Sequence, residues 1–184
     1  ELNPTLIGVR EQLAELYLRA DKTQDATRQL EAILRERPTN ERALFVLGGI
    51  KRQLDKLEEA AAHFETVLKI NPKFELAYYE LAGVRLFQNK PSITLSTLKK
   101  AGEQFKPKFI TKFYAGLAHS SLHQYPKAIE NLLDAEELAQ ASEQNRLTHF
   151  FYFQLGAAYE RNRQYETAND TFNKAIEMSP DYHN

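Results

Sequence analysis

The chain contains no cysteine. That excludes a disulfide scaffold, a thiol nucleophile, and any zinc or iron–sulfur centre held by thiolates. Valine and isoleucine are scarce, together 12 of 184 residues, which argues against an extensive sheet. No apolar run approaches the ~20 residues that cross a bilayer. The opening residues lack the basic-then-apolar pattern of a secretory leader. An excess of one charge is missing as well. Lys plus Arg number 24 against 25 Asp plus Glu, a formal net charge of −1. Such a balance leaves no electrostatic footprint for nucleic acid or an acidic membrane.

What is present favours helix. Leu (24), Ala (21) and Glu (19) are the dominant residues, and Asp is only 6. These are strong helix formers. A hydrophobic content of 42% suffices for a core, and 27% charged residues leave a well-solvated surface. The composition predicts an all-α protein.

Internal periodicity then organises the chain. Pro4, Pro38 and Pro72 recur at an interval of 34. Gly48 and Gly116 stand 68 apart with Ala82 midway, and Ala26, Ala60 and Ala128 keep the same phase. Gly116 to Gly156 and Ala128 to Ala168 are both 40, so six extra residues fall near 143–148. The expected repeats are 7–40, 41–74, 75–108, 109–142 and 149–182, each with two helices. First helices are expected at 7–20, 41–54, 75–88, 109–122 and 146–162. Second helices are expected at 23–36, 57–70, 92–105, 125–141 and 165–178. Turns fall at Asp21-Lys22, Asp55-Lys56, Asn89-Lys90-Pro91, His123-Gln124 and Asn162-Arg163.

Each repeat pairs a small residue on its first helix with a small one on its second: Ala14/Ala26, Gly48/Ala60, Ala82/Thr94, Gly116/Ala128, Gly156/Ala168. Antiparallel helices approach closely only where side chains are small. Larger residues fill the layer, Leu13, Leu47, Leu81 and Leu155 against Leu30, Phe64, Leu98, Leu132 and Phe172. A proline after the second helix stops it.

This pattern resembles the tetratricopeptide repeat family. The fullest copy reads Tyr152, Leu155, Gly156, Tyr159, Ala168, Phe172, Ala175, Pro180, and the second reads Leu44, Leu47, Gly48, Ala60, Phe64, Pro72. Repeat three departs with Thr94 and a displaced Pro107, and repeat four with Gln140 in place of proline. The resemblance implies a right-handed α-solenoid of antiparallel helix pairs, about ten helices in one array over 1–184. Leu2-Asn3-Pro4 matches the close of a preceding repeat, as in Ile70-Asn71-Pro72, and Asp181-Tyr182-His183-Asn184 runs toward another. No polar capping helix is evident, so the array is expected to be part of a longer protein.

In such a solenoid the first helices line the concave face, where family members hold ligands. The fifth position of each repeat reads Glu11, Phe45, Tyr79, Phe113, Phe153, and one turn later stand Glu15, Gly49, Gly83, Leu117, Ala157. Two interpretations stand. The rings line an apolar groove for an extended peptide or amphipathic helix, with Arg52, Glu80 and Glu11 setting register; or each ring packs within its own repeat. Modules that grip the C-terminal carboxylate of heat-shock chaperones use Lys and Asn where this chain has Glu11, Glu15, Val46, Leu76 and Glu80. The asparagine ladder of O-linked N-acetylglucosamine transferases is replaced by Gln12, Val46, Glu80, Tyr114 and Gln154. Neither specialised mode is expected. Lys51, Arg85 and His119 stand where Tyr17 and Tyr159 keep the family aromatic; they snorkel, pair with nearby Glu, or meet an acidic partner.

The search for chemistry is negative. His119 and His123 are four apart, but no Glu lies between them and no third ligand follows, so no metal is expected. There is no glycine-rich phosphate loop and no cofactor motif, and no catalysis is expected. A concave face that reads RNA needs basic charge, whereas Glu11, Glu15, Glu80 and Glu160 oppose Arg19, Arg52 and Arg161. The sequence therefore predicts a protein-interaction module binding a protein or peptide. The alternatives are a spacer that self-associates through exposed terminal helices and a regulatory arm of a larger protein.

Overall fold

The computed structural model describes residues 4–178. Among them are ten α-helices, one 3₁₀ turn and no strand. In chain order these are α1 (Pro4–Arg19), α2 (Thr23–Glu36), α3 (Glu41–Gln53), α4 (Leu57–Ile70), α5 (Glu75–Phe87), α6 (Pro91–Gly102), α7 (Phe109–Ser121), α8 (Tyr125–Ser142), α9 (His149–Arg161) and α10 (Tyr165–Glu177), with the 3₁₀ turn at Gln144–Arg146. Contacts divide the chain into two units, Glu1–Gln88 and Asn89–Asn184.

In the first unit α1 pairs with α2 and α3 with α4, while α2 packs on α3 and α4 on α5. In the second, α7 pairs with α8 and α9 with α10, while α6 packs on α7 and α8 on α9. The small residues sit where the helices close. A Cβ on Gly48 would lie 2.7 Å from the Phe64 ring, and one on Gly156 2.7 Å from the Phe172 ring. Ile7, Ala14, Leu30, Ile33, Ala43, Leu47 and Ile50 fill one layer of the first unit, and Ala60, Ala61, Phe64, Leu81 and Val84 the next. Phe109, Leu132, Ala135, Phe151 and Leu155 anchor the second unit. Thr94 occupies an alanine position and is fully buried. Its hydroxyl donates to the Lys90 carbonyl at 3.3 Å, so the polar atom is satisfied.

Each first helix ends in the same turn. One residue adopts a left-handed conformation: Asp21 (φ 57°), Asp55 (56°), Asn89 (55°), His123 (57°) and Arg163 (64°). The next amide reaches back five residues. Lys22 donates to the Tyr17 carbonyl at 2.8 Å; Lys56, Gln124 and Gln164 donate to Lys51, His119 and Tyr159 at 2.9 Å. This is the Schellman closure, which usually employs glycine. Asp and Asn tolerate the left-handed region; Arg does so at greater cost. Arg163→Gly should therefore raise stability by about 1 kcal/mol, and Asn89→Gly by less. Urea midpoints compare the two, and an equal or negative change at Arg163 would contradict the strain.

Three boundaries differ from the sequence expectation by three residues, and the other shifts are of one residue. Helix α1 begins at Pro4 rather than residue 7, because proline suits the first helical position. Leu2 and Asn3, read with it as the close of a preceding repeat, lie outside the described residues, as do Pro180 and residues 181–184. Helix α6 ends at Gly102, three residues early, with the Glu103 amide closing onto Lys99 at 3.2 Å. Helix α9 begins at His149 rather than 146, because the 3₁₀ turn fills 144–146 and Thr148 caps the helix, accepting from the Phe151 amide at 3.4 Å.

Candidate functional site

In the first unit, α1, α3 and α5 bring polar rims and apolar floors together. Asn40 caps α3 by accepting from the Ala43 amide at 2.8 Å, and its Nδ2 donates to Glu11 at 3.2 Å. The α3 start is thereby tied to α1. Arg42 then stands 4.0 Å from Glu11 and 3.7 Å from Glu15, which also holds Arg19 at 2.8 Å. Beneath these charges is a cavity of about 210 Å³ floored by Ala14, Leu18, Leu30 and Val46.

A second cavity of about 310 Å³ adjoins it, since Leu18 and Val46 line both. Phe45, Gly49, Ile50 and Phe64 complete its apolar wall, with Asp21, Thr23, Arg52, Gln53 and Glu80 at the rim. Arg52 and Glu80 are paired at 3.0 Å. Gly49 opens onto free space: a Cβ there meets no atom within 4 Å. Four residues singled out from the sequence, Phe45, Gly49, Arg52 and Glu80, thus share one cavity, and Glu11 borders its neighbour.

The four rings differ in availability. Phe45 is half-buried, its ring 4.9 Å from Phe74 and 5.6 Å from Phe64. Tyr79 is 7% exposed and donates to Glu75 at 2.5 Å. Burial, helped by that carboxylate, raises its phenol well above the usual range. Gly83 on the same helix is buried. In the second unit, Phe113 stacks on Phe109 at 5.3 Å and lies near Phe150 and Phe151 at 6.2 and 5.8 Å. Leu117 is half-buried, whereas Phe153 is 53% exposed with Phe172 at 5.9 Å. Sequence reasoning missed Leu18, Arg42 and Val46. For Arg42 and Val46 the signal was the helical stripe 42, 46, 49, 53 around Phe45, which marks one face of α3.

The polar residues at the family's aromatic position find partners within their own unit. Lys51 binds Glu59 at 2.5 Å, and that bond holds the Glu59 carboxyl below its ordinary value. Arg85 pairs with Glu65 and reaches Gln88 at 2.8 Å. His119 contacts Gln124 at 2.8 Å and His123 contacts the Tyr125 hydroxyl at 2.7 Å. Among the described residues no three His, Asp or Glu gather as a metal site, and no helix is long and apolar enough to cross a membrane.

Tyr152 is buried and donates to Glu136 at 2.9 Å. Burial, then that hydrogen bond, pushes its phenol up to about 12. The folded value lies above the unfolded one of about 10. Its stabilisation is therefore complete below pH ~10 and lost as pH rises toward ~12. Tyr152→Phe should flatten the fall in stability across that alkaline window, measured by urea unfolding at stepped pH; an unchanged slope would rule out this linkage.

A family model described as tetratricopeptide repeat matches residues 12–86, and a second of that description matches 149–182. Among solved structures, MamA of Desulfovibrio magneticus RS-1, taken from residue 41 to its end, is similar with a TM-score of 0.83 at 21% identity, over 97% of this chain and 98% of that one. Another MamA crystal structure gives 0.80 at 18%, over 94% and 91%. YrrB, described as a TPR protein with an unusual peptide-binding site, gives 0.75 at 18%, over 94% and 86%. No curated protein matches in sequence. At these identities the structural likeness speaks to the fold, a helical solenoid of helix pairs. With the 34-residue period, the small-against-large seats and the recurring left-handed turns, the chain belongs to the tetratricopeptide repeat family, whose arrays serve as protein-interaction scaffolds.

Proposed function

We propose that the first-helix face of the first unit captures a peptide through two neighbouring apolar side chains. The observation that carries this reading is the adjoining pair of cavities that share Leu18 and Val46. Each has an apolar floor and a charged rim, the arrangement that gives both contact area and register. Phe45 supplies the ring of the larger cavity, Arg52 and Glu80 orient the peptide backbone, and Glu11 with Arg42 guards the smaller one. Phe153 offers a separate exposed ring in the second unit, while Tyr79 and Phe113 serve chiefly to hold their repeats together. YrrB, of similar fold, is itself described as binding peptide. The work is binding, with no catalytic step assigned to the chain.

Gly49→Leu tests this directly. The position is open, and leucine is a better helix former than glycine. The variant should fold as well as the parent yet fill the larger cavity. Peptides selected from a random display library against the parent chain should carry paired apolar residues and lose at least about tenfold in affinity to the variant. Undiminished binding would remove the cavities from the ligand site.

A second reading is a self-associating arm. Val9 and Leu16 on α1 are more than half exposed, whereas Ala43, Ile50, Ala77 and Val84, at the same phase of later repeats, are buried. That face accommodates another helix, and a second copy would supply one. Light scattering across a wide concentration range separates the readings: a mass constant near 21.2 kDa dismisses self-association.

A further inference from the structure

Helix α4 shows how a second helix seats on the first helix that follows it. Its row Leu57, Ala61, Phe64 and Leu68 shares one apolar layer with Leu81 and Val84 of α5. Leu68 also joins Ala77 of α5 in a further layer. A short connection makes the two helices antiparallel. Leu68 thus faces Ala77, Phe64 faces Leu81 and Ala61 faces Val84. The equivalent rows of α2 (Thr23, Thr27, Leu30, Leu34) and α8 (Tyr125, Ile129, Leu132, Glu136) contain no exposed residue.

Helix α10 carries the row once more as Tyr165, Asn169, Phe172 and Ile176, and here it is open. Tyr165 is 65% exposed and Ile176 50%, Asn169 is exposed, and Phe172 is half-buried. Helix α1 carries the opposite row, Val9, Leu13 and Leu16. Leu16 is 59% exposed, whereas Ile50, Val84, Ala118 and Ala158 at its phase are all buried. Val9 is 52% exposed, whereas Ala43, Ala77 and Phe151 at its phase are buried. The two open rows repeat the chemistry of a filled seat: Phe172 and Ile176 stand for Phe64 and Leu68, Leu13 and Leu16 for Leu81 and Val84.

We infer that α10 of one copy seats on α1 of a second copy, in the register that α4 keeps on α5. This rests on the self-association reading and gives it two surfaces. In that register Ile176 meets Val9, Phe172 meets Leu13 and Asn169 meets Leu16. The rows differ, so the contact is head-to-tail rather than one patch meeting itself, and assembly builds rings or open chains. A single helix pair buries little area for a stable interface, so the contact forms at high protein concentration.

The chain has no cysteine, so introduced thiols report the contact cleanly. Val9→Cys and Ile176→Cys chains, mixed at up to about 1 mM and treated with a short bis-maleimide, should cross-link several-fold faster than Val9→Cys mixed with Leu54→Cys. Leu54 is 55% exposed and belongs to neither row. Light scattering over the same range should show the mass of the parent rising above 21.2 kDa. Leu16→Glu changes an exposed site and leaves the fold intact. It should move half-assembly to at least about tenfold higher concentration. Adding Asn169→Lys should restore assembly, because the new charges meet across the seat. Leu54→Glu should assemble like the parent. A constant mass overturns both this seat and the self-association reading. A rising mass with equal cross-linking in the two mixtures, or one indifferent to Leu16→Glu, overturns the seat alone and moves self-association to another surface.

Discussion

Replacing Phe64 by alanine is expected to cost about 3–5 kcal/mol. The ring has no solvent exposure and is wedged between α3 and α4. It presses on Gly48, where an added Cβ would lie 2.7 Å away, and it faces the Phe45 ring at 5.6 Å. Removing it opens a void that the neighbouring backbone cannot close. The glycine should show the opposite defect. Gly48→Ala gains up to about 1 kcal/mol of helix propensity but forces overpacking worth roughly 1–3 kcal/mol. Combining the two changes should restore part of the loss, since the methyl then enters the space the ring vacated. Urea unfolding of both single variants and the double gives the coupling directly. Strict additivity would show that glycine and ring are not one seat. Phe64 also lines the larger cavity, so Phe64→Ala should weaken peptide capture alongside stability.

Two neighbours on α9 should differ as sharply. Phe151→Ala is expected to cost about 3–5 kcal/mol, and Phe150→Ala less than about 0.5 kcal/mol. Phe151 is 1% exposed, with Phe109 and Phe113 at 5.8 Å and Tyr152 at 5.3 Å. Phe150 is half exposed, and its one ring contact among the described residues is an edge-type contact with Phe113 at 6.2 Å. The residues have the same side chain and differ by one step around the helix. Thermal midpoints of the two variants decide the matter, and similar shifts would mean that the phase of α9 is misassigned.

Much of this fold is legible without coordinates because the repeat amplifies weak local signals. One glycine facing one phenylalanine says little, but Gly48 with Phe64 and Gly156 with Phe172 recur at a fixed offset, and both pairs are in contact. The turns were legible for a similar reason: Asp21, Asp55 and Asn89 are turn formers at regular spacing, and all three adopt positive φ. His123 shares some of that tolerance, but Arg163 adopts positive φ without favourable chemistry, and only the period pointed to it. The ring stripe was less transparent. Its phase placed Phe45, Tyr79, Phe113 and Phe153 alike, yet neighbours decide what is open. Phe74 and Phe64 flank the first, burial takes the second, an aromatic cluster takes the third, and the last stays half exposed. Leu18 and Val46 escaped notice because an aliphatic residue on an amphipathic helix reads as core whether or not a cavity lies above it.

The closure of each first helix has a consequence for isotopic exchange. Amides in bends are ordinarily the first to take up deuterium, because water reaches them without unfolding. In this chain the amides of Lys22, Lys56, Gln124 and Gln164 are clasped at 2.8–2.9 Å by a carbonyl one turn back. The sharpest corners are thus sealed, and label should enter instead at the slacker joins between successive repeats, such as the Lys106 amide beyond the end of α6. A protease would find the same order of weakness. Wear on this chain should begin between its repeats, leaving whole hairpins as the surviving pieces.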